Sequence, residues 1–297
     1  MIIKTDIKKL RDPFILVDGG VYYMYGTRVT DDGWDNTVWT CYKNTSGKLD
    51  GDWQMVEKPL AVLPKNAVKN FWAPEVHKYK GKFYLFATYY STLTNRRGCS
   101  IFKSDSPEGP FYEITDGTAT PPDWDCIDAT LYVDENGTPF MVFVHEWVSA
   151  PEQMGTMAVA QLSDDLTHFV SEPKELFRAD APKWSNHYVT DGCFLYKCED
   201  NSLLMLWSNF SNSIDYCIGI AKSKNGKIDG EWIQEEKLLY SKEMNNNLDG
   251  GHGMIFTGLD NKKYLSLHSP NEAFGPIPET PIFIPVKEQN GTLVADI

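Results

Sequence analysis

The sequence predicts an all-β chain folded as a five-bladed β-propeller. Three observations carry this: a strand–turn–strand unit that recurs five times, an acidic or histidine side chain at one position of that unit, and the lack of any sustained helical periodicity.

The recurring unit is a Gly or Asn turn followed by a short aromatic or aliphatic run. It reads Gly20-Val-Tyr-Tyr-Met-Tyr25, Gly81-Lys-Phe-Tyr-Leu-Phe86, Gly137-Thr-Pro-Phe-Met-Val-Phe143, Asn201-Ser-Leu-Leu-Met-Leu-Trp207 and Asn261-Lys-Lys-Tyr-Leu-Ser-Leu267. Each is a hairpin signal, and the spacing of about 60 residues suits a blade of three or four strands. The strand before each turn opens Asp12-Pro, Ala73-Pro, Asp128-Ala, Asp191-Gly and His252-Gly, with a small residue or Pro always second. A third strand leads to a Gly-x-aromatic signal at Gly51-Asp-Trp53, Gly109-Pro-Phe111 and Gly230-Glu-Trp232, with Leu166-Thr-His-Phe169 as a weaker version. Pro281 to Val286 and Thr292 to Ala295, joined by Gln289-Asn-Gly291, read as a last hairpin that completes a blade and closes the ring. A solenoid is the competing repeat architecture, but its units are shorter and need polar capping repeats, which are not seen. Residues 1–297 are therefore expected to form one propeller domain.

Composition narrows the partners. A net charge of −13 repels nucleic acid and anionic membranes, so a neutral substrate is the natural counterpart. No apolar run reaches the ~20 residues of a membrane span, and the start, Met1 to Asp6, lacks the apolar region of a secretory signal. The chain is therefore expected to be cytoplasmic, unless a signal has been removed. The 6 cysteines form no CxxC pair and read as scattered reduced thiols.

In a propeller the inner strands line the axis, so equivalent positions face one small space. Asp12, Asp128, Asp191 and His252 are expected to share such a position, with Ala73 leaving a gap. One Asp before Pro or Gly is ordinarily a turn or cap residue. Three in register around an axis are costly unless they serve chemistry or hold a cation. The glycines of Asp249-Gly-Gly-His-Gly253 bring backbone close to a bound ion or to a tight channel.

At these residues the sequence resembles glycoside hydrolase family 43, five-bladed propeller enzymes acting on arabinans and xylans. The resemblance rests on Arg11-Asp-Pro13 with Tyr22-Tyr-Met-Tyr-Gly-Thr27, Trp72-Ala-Pro-Glu-Val-His77, Ile127-Asp-Ala129, Thr190-Asp-Gly192 and Gly251-His-Gly253. It implies that Asp12 is the general base, that Asp128 raises the pKa of the acid and orients it, and that Trp72 borders the sugar. It also implies that His252 stands at the substrate beside an axial ion, often calcium with mostly water ligands; no organic cofactor is implied. The implied reaction is inverting release of a terminal α-L-arabinofuranose or β-D-xylose from an oligosaccharide.

One residue departs from the family pattern. The family acid is typically Glu in Glu-Gly-Pro, whereas here the triplet is Asp191-Gly-Cys193, one methylene shorter. Three explanations stay open: Asp191 is the acid; Glu146 or Glu75 takes that role; or the site binds sugar with little turnover. The second class of function is accordingly a carbohydrate-binding or interaction propeller, for which the axial carboxylates would be dispensable. A metal-dependent lyase would need several convergent histidines, and of the 6 present only His252 is in the axial position.

Overall fold

The computed structural model describes residues 1–30 and 33–297. Five sheets, antiparallel except for one parallel outer pair, Phe111–Glu113 with Ala61–Val62, stand around one axis as a five-bladed β-propeller. The blades' inner strands are Leu10–Asp18, Ala67–Tyr79, Cys126–Val133, Asp191–Lys197 and Gly251–Thr257. Among the described residues there is no α-helix, only short 3-10 turns such as Pro151–Gln153 and Lys242–Met244.

Each inner strand turns at one of the predicted Gly or Asn hairpins into a second strand: Val21–Arg28, Lys82–Ser91, Pro139–His145, Leu203–Phe210 and Lys263–Ser269. These second strands are buried along nearly their whole length, because adjacent blades cover both faces. That is why they read as continuous apolar runs instead of alternating ones. The Gly-x-aromatic signals stand at the start of the fourth strands counted from the axis, as at Phe111–Glu113 and Trp232–Gln234. Trp232 Nε1 donates to Ile228 O at 3.1 Å and Trp53 Nε1 to Leu49 O at 3.0 Å, so each indole ties the outer edge back to its own turn.

The ring closes in the fifth blade. Thr280–Gln289 is its third strand, and the predicted C-terminal hairpin places Thr292–Ala295 beside it. The closing contact itself comes from the other end of the chain, where Ile3–Lys4 pairs with Phe283 and Ile282. All six cysteines are free and buried.

The feature that builds the site is a bulge repeated five times. The register of every inner strand against its neighbour breaks at Arg11/Phe14, Trp72/Glu75, Ile127/Thr130, Asp191/Phe194 and Gly251/Met254. The residue that opens each bulge has positive φ: Asp12 54°, Ala73 40°, Asp128 56°, Gly192 56° and His252 53°. Such a left-handed conformation is costly for a residue with a Cβ, and bulges of this kind re-aim side chains beside active sites.

This register corrects one expectation. Asp191 is not equivalent to Asp12, Asp128 and His252; Gly192 is. Asp191 pairs with Ser208 just before the break, at the level of Arg11, Trp72, Ile127 and Gly251.

Candidate active site

The bulges open into an axial cleft of about 500 Å³. From the level before the bulge it receives Arg11, Trp72, Ile127 and Asp191, and from the bulge itself Asp12, Asp128 and His252. Asp12, Asp128, Asp191, Glu146, Trp72 and His252 are thus brought together, as the sequence led one to expect. Glu75 is not: it is buried away from the cleft and accepts a hydrogen bond from His77 Nε2 at 3.0 Å.

His252 sits between the two bulge carboxylates. Its Nδ1 is 3.2 Å from Asp12 Oδ1 and 3.7 Å from Asp128 Oδ2. Asp12 Oδ1 also has His268 Nδ1 at 3.6 Å and Arg11 Nε at 3.9 Å. Arg11 is itself held by Glu279 Oε1 at 2.8 Å and Asn271 Oδ1 at 3.0 Å. Asp128 Oδ2 accepts the Gly192 amide at 2.9 Å, and Asp191 Oδ2 accepts the Tyr216 hydroxyl at 3.0 Å.

These surroundings separate the three aspartates electrostatically. Burial opposes ionisation of Asp12, but His252, Arg11 and the Thr27 hydroxyl outweigh it and hold the carboxyl below its ordinary range. Burial, reinforced by Asp12, drives Asp128 well up. Burial and then Asp128 push Asp191 up to about 7, against the opposing pull of His252, Tyr216 and Arg11. The cleft therefore keeps one carboxylate ionised and a proton on the facing pair.

An aromatic rim surrounds the carboxylates. Trp34 meets Trp72 at 6.0 Å and Phe274 at 5.7 Å, both edge-on, and Arg11 lies 4.7 Å from the Trp34 ring centre. Trp147 packs on Tyr188 at 4.7 Å on another wall. Ring faces beside carboxylates suit a neutral, ring-shaped polyol.

The comparisons with known proteins point the same way. The model of "Glycosyl hydrolases family 43" matches residues 7–286. The chain belongs to glycosyl hydrolases family 43.

Among family 43 relatives it is 24% identical, over 87% of its own length and 73% of the other, to the extracellular exo-α-(1→5)-L-arabinofuranosidase ArbA of Cellvibrio japonicus. An endo-arabinase from Bacteroides thetaiotaomicron superposes with a TM-score of 0.83 at 34% identity, covering 98% of both chains. CoXyl43, a β-xylosidase/α-arabinofuranosidase from a compost metagenome solved with xylotriose in a calcium-free form, superposes at 0.70 with 17% identity, over 96% of this chain and 94% of that one. The chain is a family 43 glycosidase, and its substrate is a carbohydrate. The Cellvibrio relative is extracellular by name and lends no support to a cytoplasmic placement. No helix among the described residues is long and apolar enough to cross a membrane.

Calcium in some family 43 members raises the question of whether these residues would hold it. Calcium takes about six to eight oxygen ligands. Here the axial donor is an imidazole whose Nδ1 already faces two carboxylates, and among the described residues no three His, Cys, Asp or Glu side chains group as metal ligands. These residues form no protein cage for calcium; an ion here would be held mostly by water, with His252 beside it.

Glu146 was expected in this family 43 cleft, but its partner was not. Glu146 faces the cleft, but Arg97 Nε holds its Oε2 at 2.6 Å, and that guanidinium lies 5.4 Å from the Trp72 ring centre. Burial raises Glu146 while Arg97 pulls it back. Tyr216, His268, Asn271 and Glu279 also escaped notice. They come from second and third strands and one loop, where a polar residue in an apolar run is the one available signal.

Proposed function

We propose that this protein hydrolyses α-L-arabinofuranosyl or β-D-xylosyl bonds with inversion, releasing a terminal pentose, as one catalytic unit over residues 1–297. The observation that carries the reading is the opposed electrostatics of two carboxyls: Asp12 held low by His252 and Arg11, and Asp191 pushed up to about 7 by burial and Asp128. Pairs of titratable groups whose surroundings drive them apart mark base and acid.

Asp12 takes a proton from water, whose oxygen bonds to the anomeric carbon as the glycosidic C–O bond breaks. Asp191 gives its proton to the departing oxygen. Inversion requires these carboxyls to stand about 6.5–9.5 Å apart, leaving room for that water. Asp128 and Asp191 cannot both ionise cheaply, so like-charge repulsion keeps a proton on the pair, and Asp191 is the member that delivers it. Arg11, fixed by Glu279 and Asn271, orients and stabilises the ionised base. The rim of Trp34, Trp72 and Phe274 supplies faces for the sugar ring.

Internal cleavage of an arabinan chain is the second reading, favoured by the likeness to the Bacteroides thetaiotaomicron endo-arabinase. Digestion of linear α-1,5-arabino-oligosaccharides and of xylo-oligosaccharides, followed by anomeric proton NMR, tests all parts together. Free pentose of inverted configuration supports the proposal. Short oligomers as first products favour internal cleavage, a retained anomer removes inversion, and no turnover of either series removes the substrate class.

A further inference from the structure

Four of the five bulges are pinned alike. The amide that opens each one donates to a side chain on the second strand of the preceding blade: Ala73 N to Thr27 Oγ1 at 2.7 Å, Asp128 N to Thr88 Oγ1 at 3.1 Å, His252 N to Ser208 Oγ at 2.8 Å and Asp12 N to His268 Nδ1 at 3.2 Å. The acceptor always stands opposite the last paired residue before the bulge: Thr27 opposite Arg11, Thr88 opposite Trp72, Ser208 opposite Asp191 and His268 opposite Gly251.

The third blade breaks the rule. Its equivalent residue, opposite Ile127, is Val144, fully buried and unable to accept a hydrogen bond. The amide it would have held belongs to Gly192, and that amide turns instead to Asp128 Oδ2 at 2.9 Å. Gly192 suits this place for two reasons. Its φ is +56°, and a Cβ there would meet the Cα and ring of His252 at 2.9 Å.

We propose that Val144 is a positioning residue: by withholding an acceptor at one place in the ring, it leaves the Gly192 amide to fix the Asp128 carboxylate. The inference rests on the role given to Asp128 above. A buried amide must find a partner, so an acceptor at position 144 competes directly with Asp128. The carboxylate's backbone stays anchored through Thr88 and through the Cys193 thiol, which reaches Asp128 O at 3.0 Å. What the competitor changes is the side chain's orientation, and misplacing a catalytic group by a fraction of an ångström costs rate, not binding.

The test is Val144→Thr, which places at this position the hydroxyl that Thr27, Thr88 and Ser208 supply elsewhere. Val142→Thr is the control: the same change two residues along the same strand, in the same buried apolar cluster. The expected result is a kcat at least about tenfold lower for Val144→Thr with KM within twofold of wild type, and kcat unchanged for Val142→Thr. In amide proton NMR of the free protein, the Gly192 resonance shifts in Val144→Thr alone, as its bond to Asp128 is exchanged for one to the new hydroxyl. An unmoved Gly192 resonance overturns the proposal, as does equal loss of kcat in both variants. The resonance needs no substrate, so it decides the point even if wild type cleaves no pentoside and the hydrolytic reading falls.

Discussion

Tyr216 donates its phenolic hydrogen to Asp191 Oδ2 at 3.0 Å, and its ring occupies the space where a Cβ on Gly251 would stand. The bond favours ionised Asp191 and so works against the burial and the Asp128 charge that raise it. The acid is therefore set by a balance that one atom can shift. In Tyr216→Phe the opposing bond is gone and Asp191 rises further. A hydrogen bond to a charged group contributes about 1.5–3 kcal/mol, so the alkaline limb of kcat/KM moves up from near 7 by about one to two units. A pH–rate profile of the variant reads this, and a limb that stays or moves down would contradict the assignment.

Asp191 also links activity to stability. Its folded pKa of about 7 lies above the ordinary carboxyl value, so between those two pH values the folded state holds a proton that the unfolded chain has lost. Stability then falls as pH rises through that window and levels off above it. Asp191→Asn removes the buried charge while keeping an acceptor for Tyr216. The variant should melt at least about 2 °C above wild type at pH 8 and nearly level with it at pH 4. Equal differences at both pH values would show that Asp191 does not titrate as described.

Glu146 is the other carboxyl facing the cleft, and its short contact with Arg97 assigns it to the wall. Glu146→Gln keeps an oxygen for Arg97 but has no proton to transfer. Its kcat should stay within about tenfold of wild type, below the hundredfold or more that a general acid contributes, while KM rises as the Arg97–Trp72 contact loosens. Steady-state kinetics on an arabino-oligosaccharide separate the two parameters, and a kcat loss matching that of a general acid would move the role to Glu146.

Much of this was legible in the sequence. The five hairpins, the aromatic runs and the carboxylates near the axis follow from a period of about 60 residues and from strand propensity alone. Asp191 was misplaced by one residue because a bulge adds a residue to one strand, and an alignment that matches carboxylates cannot see it. The clue was Gly192, which is free to take the positive φ that Asp12, Asp128 and His252 adopt under strain. Glu75 failed for a related reason. It follows the bulge in its strand, where the change of register turns its carboxyl away from the cleft and toward His77. Tyr216, His268 and Glu279 were hidden because they come from second and third strands and a loop, none of which lines the axis.

The division of labour between Asp12 and Asp191 is tested most directly by leaving-group dependence. Asp191→Ala and Asp12→Ala would be compared on aryl α-L-arabinofuranosides or β-D-xylosides whose phenols range from acidic to weakly acidic. If Asp191 is the acid, its removal costs little where the phenol leaves unaided and a factor of about 10²–10⁴ where it needs a proton. Loss of the base in Asp12→Ala should be severe across the whole series. An Asp191→Ala enzyme that cleaves the poorest leaving group at the wild-type rate would contradict the account.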